Sequence, residues 1–240
     1  MRLMDVLLLR FDAPLMSFGA VVVDQRHPLW RFPGSAMLAG LIGNALGWDH
    51  RDTERLQTLQ DRLRFAARWD AAPELLTDYQ TVDLGQDFLM ETGWTTRGRR
   101  EDRKGGTAAT GTHIRYRDHW ANGVATVALA LDGTGDPSLG NVEQALRYPA
   151  RPLFIGRKPC LPAAPILVGR RQATGVKDAL AREPLASIGP RRRPQRVEAL
   201  WPLDEGAGVQ TEERYDQRDW ANNIHRGSRR YAVGLLEVAT

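Results

Sequence analysis

The sequence contains a single cysteine, Cys160, so an internal disulfide is excluded and a reducing compartment is compatible with the composition. No apolar run approaches the length of a membrane span, and the residues from Met1 to Asp5 do not form a signal-peptide pattern. We therefore predict a cytoplasmic protein with no membrane partner. Lysine is also scarce: three of the 33 basic residues are lysine, so thirty are arginine.

Recognisable metal and phosphate-loop motifs are missing as well. The segment Gly34-Ser35-Ala36 lacks the lysine that a phosphate loop requires, and no nucleophile elbow is present. Zinc-ligand spacing is not found among the five histidines, which are His27, His50, His113, His119 and His225. From these motifs we predict no metal, no cofactor and no catalytic residue.

Charge is distributed unevenly along the chain. The net charge is +4, but the segment from Arg147 to Arg196 contains twelve Lys/Arg and only two acids, so the remainder is negative. Such asymmetry indicates a polyanionic partner. Arginine suits phosphate groups and base stacking. A coding bias toward arginine would give the same composition, and this alternative stays open.

Hydrophobic periodicity predicts an α+β protein. The elements follow the order strand, helix, strand, long insertion, strand, helix, which begins the split β-α-β plan shared by ferredoxin-like and RRM proteins. The predicted strands are 3–11, 63–70 and 124–131, the predicted helices are 35–46, 53–62 and 139–147, and weaker patterns predict a helix at 175–182 and strands at 197–201 and 230–238.

The stretch from residue 10 to residue 48 predicts an anion site. A loop that carries Phe18, Arg26, Trp30 and Arg31 precedes a helix with Ser35 as its expected N-cap. A helix start offers free backbone N–H groups, and cations beside aromatic rings suit single-stranded nucleic acid. The alternative is an ordinary loop before a core helix.

Two later segments also combine glycine with cations. Residues 77–120 are rich in glycine and poor in aliphatic side chains, and long segments of this kind are either functional or disordered. Residues 148–171 are rich in proline and include Gly156-Arg157-Lys158, where backbone and charge can approach a phosphate together. A simple turn between strands is the alternative for the second segment.

Several motifs in order resemble one protein family. They are Ala13-Pro14, Ser17-Phe18-Gly19, Arg31-Phe32-Pro33, Leu38 to Gly47, Asp78 to Val82 and Phe154 to Leu161. This series resembles the fifth Cas family of CRISPR-associated RNA-binding proteins (RAMP superfamily), especially the CasD-like subunits of type I-E Cascade surveillance complexes. The resemblance thins after Gly169. Phe18 replaces the family's usual tryptophan, and residues 34–36 replace its usual threonine, basic residue and serine.

The resemblance implies a fold and a function. It implies a ferredoxin-like/RRM-type (RAMP) RNA-binding domain over 1–169, a β-hairpin thumb inserted at about 78–120, and a small β-rich C-terminal extension over 170–240 that is not necessarily independent. It also implies a non-catalytic subunit that binds CRISPR RNA, caps its 5′ handle and helps to assemble Cascade. The implied partners are the backbone subunit, the large subunit and, through the complex, target DNA.

We expect the loop after the first strand, the start of the first helix and the loop after the helix at 139–147 to form one RNA groove, with the thumb adding charge. The predicted RNA-binding residues are Ser17, Phe18, Gly19, Arg26, Trp30, Arg31, Ser35, Arg97, Arg99, Arg100, Arg103, Lys104, Arg115, Arg147, Tyr148, Arg151, Arg157 and Lys158.

The enzymatic alternative is a metal-independent endoribonuclease that processes CRISPR repeat RNA. Such chemistry requires a general acid and base near a 2′-hydroxyl and a cation for the oxyanion. The residues that could supply these groups are His27, Lys104, His113 and Tyr116. The resemblance favours the binding subunit, because in type I-E systems a separate subunit processes the RNA.

Overall fold

The computed structural model describes residues 3–22, 24–83, 92–94, 100–102, 112–187 and 194–239. Its four α-helices within these ranges are α1 (Ser35–Ala45), α2 (Thr53–Arg62), α3 (Leu139–Arg147) and α4 (Val176–Arg182). The strands are β1 (Met4–Asp12), β2 (Leu15–Met16), β3 (Arg26–His27), β4 (Leu63–Ala71), β5 (Glu74–Asp83), β6 (Thr92–Trp94), β7 (Arg100–Asp102), β8 (Thr112–Ala121), β9 (Val124–Leu131), β10 (Leu167–Ala173), β11 (Arg196–Pro202), β12 (Gln210–Arg214), β13 (Arg218–Asp219), β14 (Ile224–His225) and β15 (Arg229–Glu237).

A seven-stranded antiparallel sheet forms the centre of the molecule, in the order β10-β1-β9-β4-β11-β15-β12. Strand β1 is apolar almost throughout because both of its faces are covered. Leu7 and Leu9 enter a core beneath α1, α2 and α3, whereas Val6 and Leu8 enter a second core beneath α4. The α+β class predicted from periodicity is therefore confirmed.

Most predicted boundaries agree with the structure to within about two residues. Helices α2 and α3 and strand β9 have the predicted bounds, because their apolar residues repeat at helical or strand spacing. Ser138 and Asn141 form a capping box at α3. The prediction of Ser35 as the N-cap of α1 is wrong, because Gly34 occupies that position.

The C-terminal residues continue the central sheet. Strand β11 pairs with β4 on one side and with β15 on the other, and β12 forms the edge beyond β15. Strand β10 runs across the predicted boundary between residues 169 and 170. The described part of residues 170–240 thus shares its hydrophobic cores with the N-terminal part.

A long antiparallel hairpin occupies the predicted insertion. Strands β5 and β8 pair from Glu74 opposite Ala121 to Asp83 opposite Thr112. Short strands β2 and β3 pair with the other edge of β8. Of the predicted cationic cluster, Arg97, Arg99, Arg103 and Lys104 lie outside the described residues, and only the backbone of Arg100 is described, in β7, which pairs with β6.

Candidate nucleic-acid interface

A groove of about 520 Å³ runs along α1 and is referred to here as the α1 groove. The loop after β1 contributes Ser17 and Gly19, and α1 contributes Ala36, Met37, Gly40 and Asn44 among others. The segment after α3 contributes Arg151, Phe154, Gly156, Arg157 and Lys158, and the C-terminal residues contribute Arg218, Trp220 and His225. The three elements that the sequence predicted to form one RNA groove thus all contribute residues to the α1 groove, and RNA binding there stays a prediction.

Gly156 fixes one wall of the α1 groove. Its φ is +96°, and a Cβ at this position would lie 1.8 Å from the carbonyl oxygen of Ser17. The backbone N–H of Ser17 also donates to the carbonyl of Ile155 at 3.0 Å. Only glycine permits this approach. The contact brings Arg157 and Lys158 to the groove beside the loop after β1.

A basic surface adjoins the groove on one side of the β5–β8 hairpin, and we call it the basic face. Side chains alternate along a strand, so Arg115 and Arg117 share a side of β8. His27 lies opposite Arg117 in the register with β3. Burial, together with the charges of Arg157, Arg117 and Arg115, lowers the pKa of His27. Arg157 therefore lies close enough to join the basic face to the α1 groove.

Two cations of this surface have few acidic neighbours. Lys158 is exposed and forms no hydrogen bond or ion pair with any residue that the structure describes. Arg117 lies opposite Asp78 in the strand register, yet its buried Nε has no hydrogen-bond partner within the described ranges. Arg157 donates to the carbonyl of Asp118 at 2.9 Å, and burial and Arg117 lower its pKa. Three cations therefore lie close together here, with the carboxylate of Asp78 on the same side of the hairpin.

The predicted anion site at the start of α1 is occupied by the protein itself, which corrects that prediction. The carboxylate of Asp216 accepts from the backbone N–H of Ser35 at 2.7 Å, and its carbonyl accepts from Ala36 at 3.3 Å. Ser35 is fully buried. A residue 181 positions away therefore supplies the negative charge that the helix dipole favours.

The aromatic and cationic side chains predicted to bind RNA between residues 18 and 31 contact other side chains of the protein. Phe18 is 1% exposed and packs against Phe11 and Trp69, so the structure does not offer its ring for base stacking. Arg31 pairs with Glu198 at 2.7 Å and lies over the rings of Trp69 and Trp120. The half-buried Trp30 faces the guanidinium of Arg214 at 4.9 Å.

The other residues predicted to bind RNA either lie away from the α1 groove or donate hydrogen bonds to backbone carbonyls. Arg26 shares its side of the hairpin with Tyr116, opposite to the basic face, and pairs with Asp118. Arg147 pairs with Glu143, and Tyr148 is 69% exposed; neither lines the groove. Arg151 lines it but donates to the carbonyls of Gly47 and Trp48, near the end of α1. An RNA-binding role for these residues stays a prediction.

Sequence reasoning missed several residues of this surface. The period-two spacing of Arg115 and Arg117 on one strand could have identified Arg117. Asn44 sits on an apolar helix without a distinguishing pattern. Arg218, Trp220 and His225 belong to a polar, irregular segment, and only the folded chain brings them to α1.

Those residues of the nuclease alternative that the structure describes do not converge. Strand alternation places His27 on the basic face and Tyr116 on the opposite side of the same hairpin. His113 lies at the exposed end of β8, on the basic face, and Lys104 lies outside the described residues. Across the described ranges, we find no group of His, Cys, Asp or Glu arranged to hold a metal ion, and no helix long and apolar enough to cross a membrane.

Comparisons with known proteins agree on one family. A model of the family described as CRISPR-associated protein (Cas_Cas5) matches residues 6–232. The CRISPR system Cascade subunit CasD of Escherichia coli (strain K12) is 31% identical over 176 residues, which cover 72% of this chain and 75% of that protein.

Two solved structures have a similar fold. One is a chain of a CRISPR RNA-guided surveillance complex, with a TM-score of 0.69 and 22% identity over 97% of this chain and 90% of that chain. The other is a Cas protein, with a TM-score of 0.59 and 22% identity over 97% of this chain and 94% of that chain.

Proposed function

Since the chain belongs to the CRISPR-associated protein (Cas_Cas5) family, we propose that it is a Cascade subunit that binds CRISPR RNA along the α1 groove and the basic face. We also propose that it caps the 5′ handle in a type I-E complex. The proposed partners are the backbone subunit, the large subunit and, through the complex, target DNA. A cytoplasmic location belongs to the same proposal.

The proposed fold assignment is ferredoxin-like. Strands β1, β4, β9 and β10 with helices α1 and α3 follow the order β-α-β-β-α-β, with α2 added before β4. In the sheet these strands take the order β10-β1-β9-β4, so the first and second strands of the plan lie on either side of the third. We assign the β5–β8 hairpin to the thumb, since it connects β4 to β9.

One observation carries the proposal: three cations that form no ion pair with the described residues lie at or beside the groove, where Gly156 lets its loop approach Ser17 closely. Single-stranded RNA requires positive charge for its phosphates and space for its bases. Arg117, Arg157 and Lys158 supply the charge, and Gly156 lets backbone approach backbone at the groove wall. Arg68 and Arg214, by contrast, are fully buried and are engaged by a carboxylate or by backbone carbonyls.

Sequencing of the RNA that co-purifies with the protein tests this proposal. We expect RNAs that share one repeat-derived 5′ end, and we expect the double variant Arg117→Ala, Lys158→Ala to retain much less RNA. Arg196→Ala is the matched control, because Arg196 is exposed, pairs with Glu237 and does not line the groove. Equal RNA retention by the control and the double variant would exclude this binding surface.

We propose that the subunit is not catalytic, and the separation of His27 from Tyr116 supports this. Purified protein incubated with its cognate repeat RNA and a chelator should leave the RNA intact. The nuclease alternative is supported by one observation: burial and three arginines lower the pKa of His27, which favours the neutral ring that a general base requires. Specific cleavage within the repeat that His27→Ala abolishes would establish that alternative.

A further inference from the structure

One edge of strand β8 has a gap beside the α1 groove. Strand β2 pairs with residues 120–121 of β8 and strand β3 pairs with residues 116–117, so neither strand pairs with Asp118. The guanidinium of Arg157 lies at this gap, where its Nη1 donates to the carbonyl oxygen of Asp118 at 2.9 Å. A side chain thus satisfies a backbone carbonyl that these two strands leave unpaired.

The buried ring of His119 provides a second acceptor for the same nitrogen. His119 is 3% exposed, and its Nδ1 lies 3.1 Å from the carbonyl oxygen of Arg117. A carbonyl can only accept, so Nδ1 carries the ring proton and Nε2 is an acceptor. Nε2 lies 3.4 Å from Nη1 of Arg157, which can only donate. Burial, and then the charge of Arg157, lower the pKa of His119, in agreement with a neutral ring.

Arg157 therefore has one nitrogen engaged by the protein and two nitrogens available to a ligand. Its Nε and Nη2 form no hydrogen bond with any residue that the structure describes. The side chain is half-buried and lines the α1 groove. Arg68 differs, because all three of its guanidinium nitrogens donate to a carboxylate or to carbonyls. The contacts of Arg157 orient its guanidinium without neutralising it.

We propose that His119 is a positioning residue for RNA binding: its ring and the Asp118 carbonyl hold Nη1 of Arg157, so that Nε and Nη2 face a phosphate of the bound strand. The Nε and Nη2 N–H groups form the planar fork that matches phosphate oxygens. A guanidinium ordered before binding loses less entropy when the RNA binds. This inference rests on the proposed RNA-binding function, and it gives a role to a buried histidine that does not itself contact the RNA.

Two substitutions of similar length separate the acceptor from the packing of the ring. His119→Gln brings an amide oxygen near the position of Nε2 and should retain most of the affinity for single-stranded repeat RNA. His119→Met fills similar space with only a weak acceptor, so it should weaken binding about threefold, the effect of one side chain that must be ordered on binding. The affinity of the purified protein is measured at neutral pH and constant ionic strength. Equal affinities of the two variants would refute the positioning role.

A double variant distinguishes positioning from a general effect on the fold. Arg157→Ala should weaken binding more than His119→Met does, and adding His119→Met to Arg157→Ala should cause no further loss, because the two residues act through one contact. If His119→Met causes the same loss in both backgrounds, His119 supports only the fold and the inference is wrong. Wild-type affinity in Arg157→Ala would refute it as well.

Lys158→Ala separates this inference from the proposed function. If Lys158→Ala weakens binding while His119→Met does not, RNA binding stands and the positioning role is refuted. If neither Lys158→Ala nor Arg157→Ala changes the affinity, both proposals fail. Should His119→Met not fold, His119→Asn takes its place in every comparison, because its shorter amide replaces Nδ1 and does not reach the position of Nε2.

Discussion

Arginine has two different uses in this protein, and the contrast between Arg68 and the basic face shows it. Arg68 is fully buried, pairs with Asp70 at 2.7 Å and donates to the carbonyls of Leu180, Glu183 and Pro184. On the basic face, Arg117 and the nearby Lys158 have no ion pair within the described part of the chain. Partners, and not composition, thus distinguish a structural cation from one available to a ligand.

Arg214, like Arg68, is a buried arginine with a structural role. It is fully buried and donates to the carbonyls of Phe32 and Pro33, and Asp216 then caps α1. Burial lowers the pKa of Arg214, while Asp216 and Glu212 oppose that effect. Arg214 and Asp216 therefore fix the start of α1. The cations Arg157 and Lys158 at the groove do not take part in these contacts.

The largest expected effect is on stability, from Arg68→Ala. Removing Arg68 leaves the buried carboxylate of Asp70 with Arg10, at 3.7 Å, as its paired cation among the described residues, and breaking a buried pair from one side typically costs about 3 to 5 kcal/mol. Denaturant unfolding measures the loss. Lys158→Ala, as control, should change the stability by less than about 0.5 kcal/mol. Similar losses in the two variants would invalidate the contrast between structural and available cations.

A smaller loss is expected from Asp216→Ala. The variant leaves the backbone N–H of Ser35 without its acceptor, and loss of a helix cap costs up to about 2 kcal/mol. Asp216→Asn keeps an acceptor oxygen and should recover part of the stability. Thermal unfolding of both variants is the measurement. If the asparagine and alanine variants are equally stable, Asp216 is not acting as a cap.

A still smaller effect is expected on the pH dependence of RNA affinity, through the protonation of His27 beside its neighbouring arginines. The pKa of His27 lies below its usual 6.5 in the free protein, because burial and Arg157, Arg117 and Arg115 disfavour its charge. A bound phosphate would favour the protonated ring, so RNA binding should take up a proton and strengthen as pH falls from neutral toward the pKa of His27 in the free protein. The gain should be less than about tenfold, the equivalent of one pKa unit.

His27→Gln provides the control for this pH effect. The glutamine variant should lose the part of the pH dependence of RNA affinity that lies between neutral pH and the pKa of His27 in the free protein. RNA affinity measured at constant ionic strength across that pH range tests this prediction. An unchanged pH profile in His27→Gln would mean that no phosphate approaches the basic face at His27.

Local patterns predicted the elements of the fold but not how the C-terminal residues pack. The spacing of apolar residues inside each segment is enough to predict helices α2 and α3 and strand β9. The pairing of β11 with β4 joins residues more than a hundred positions apart, and no local signal encodes it. The family resemblance in the sequence also thins after Gly169, before β11 begins.

The candidate site was predictable where a single segment determines it. Gly156-Arg157-Lys158 combines a conformational requirement with charge, and the structure places all three at the groove. Phe18 and Arg31 misled sequence reasoning, because an aromatic or cationic residue in a loop has the same pattern whether its partners are protein or RNA. Trp69 and Glu198, which engage them, lie far away in sequence.

The salt dependence of RNA affinity tests the central claim most directly. Each cation that contacts a phosphate of single-stranded RNA contributes about 0.7 to the slope of log affinity against log salt. The claim predicts that Arg117→Ala and Lys158→Ala each reduce the slope by about 0.7, and that Arg196→Ala, with the same change in charge, leaves it unchanged. Wild-type slopes in both Arg117→Ala and Lys158→Ala, or an equal reduction in Arg196→Ala, would contradict it.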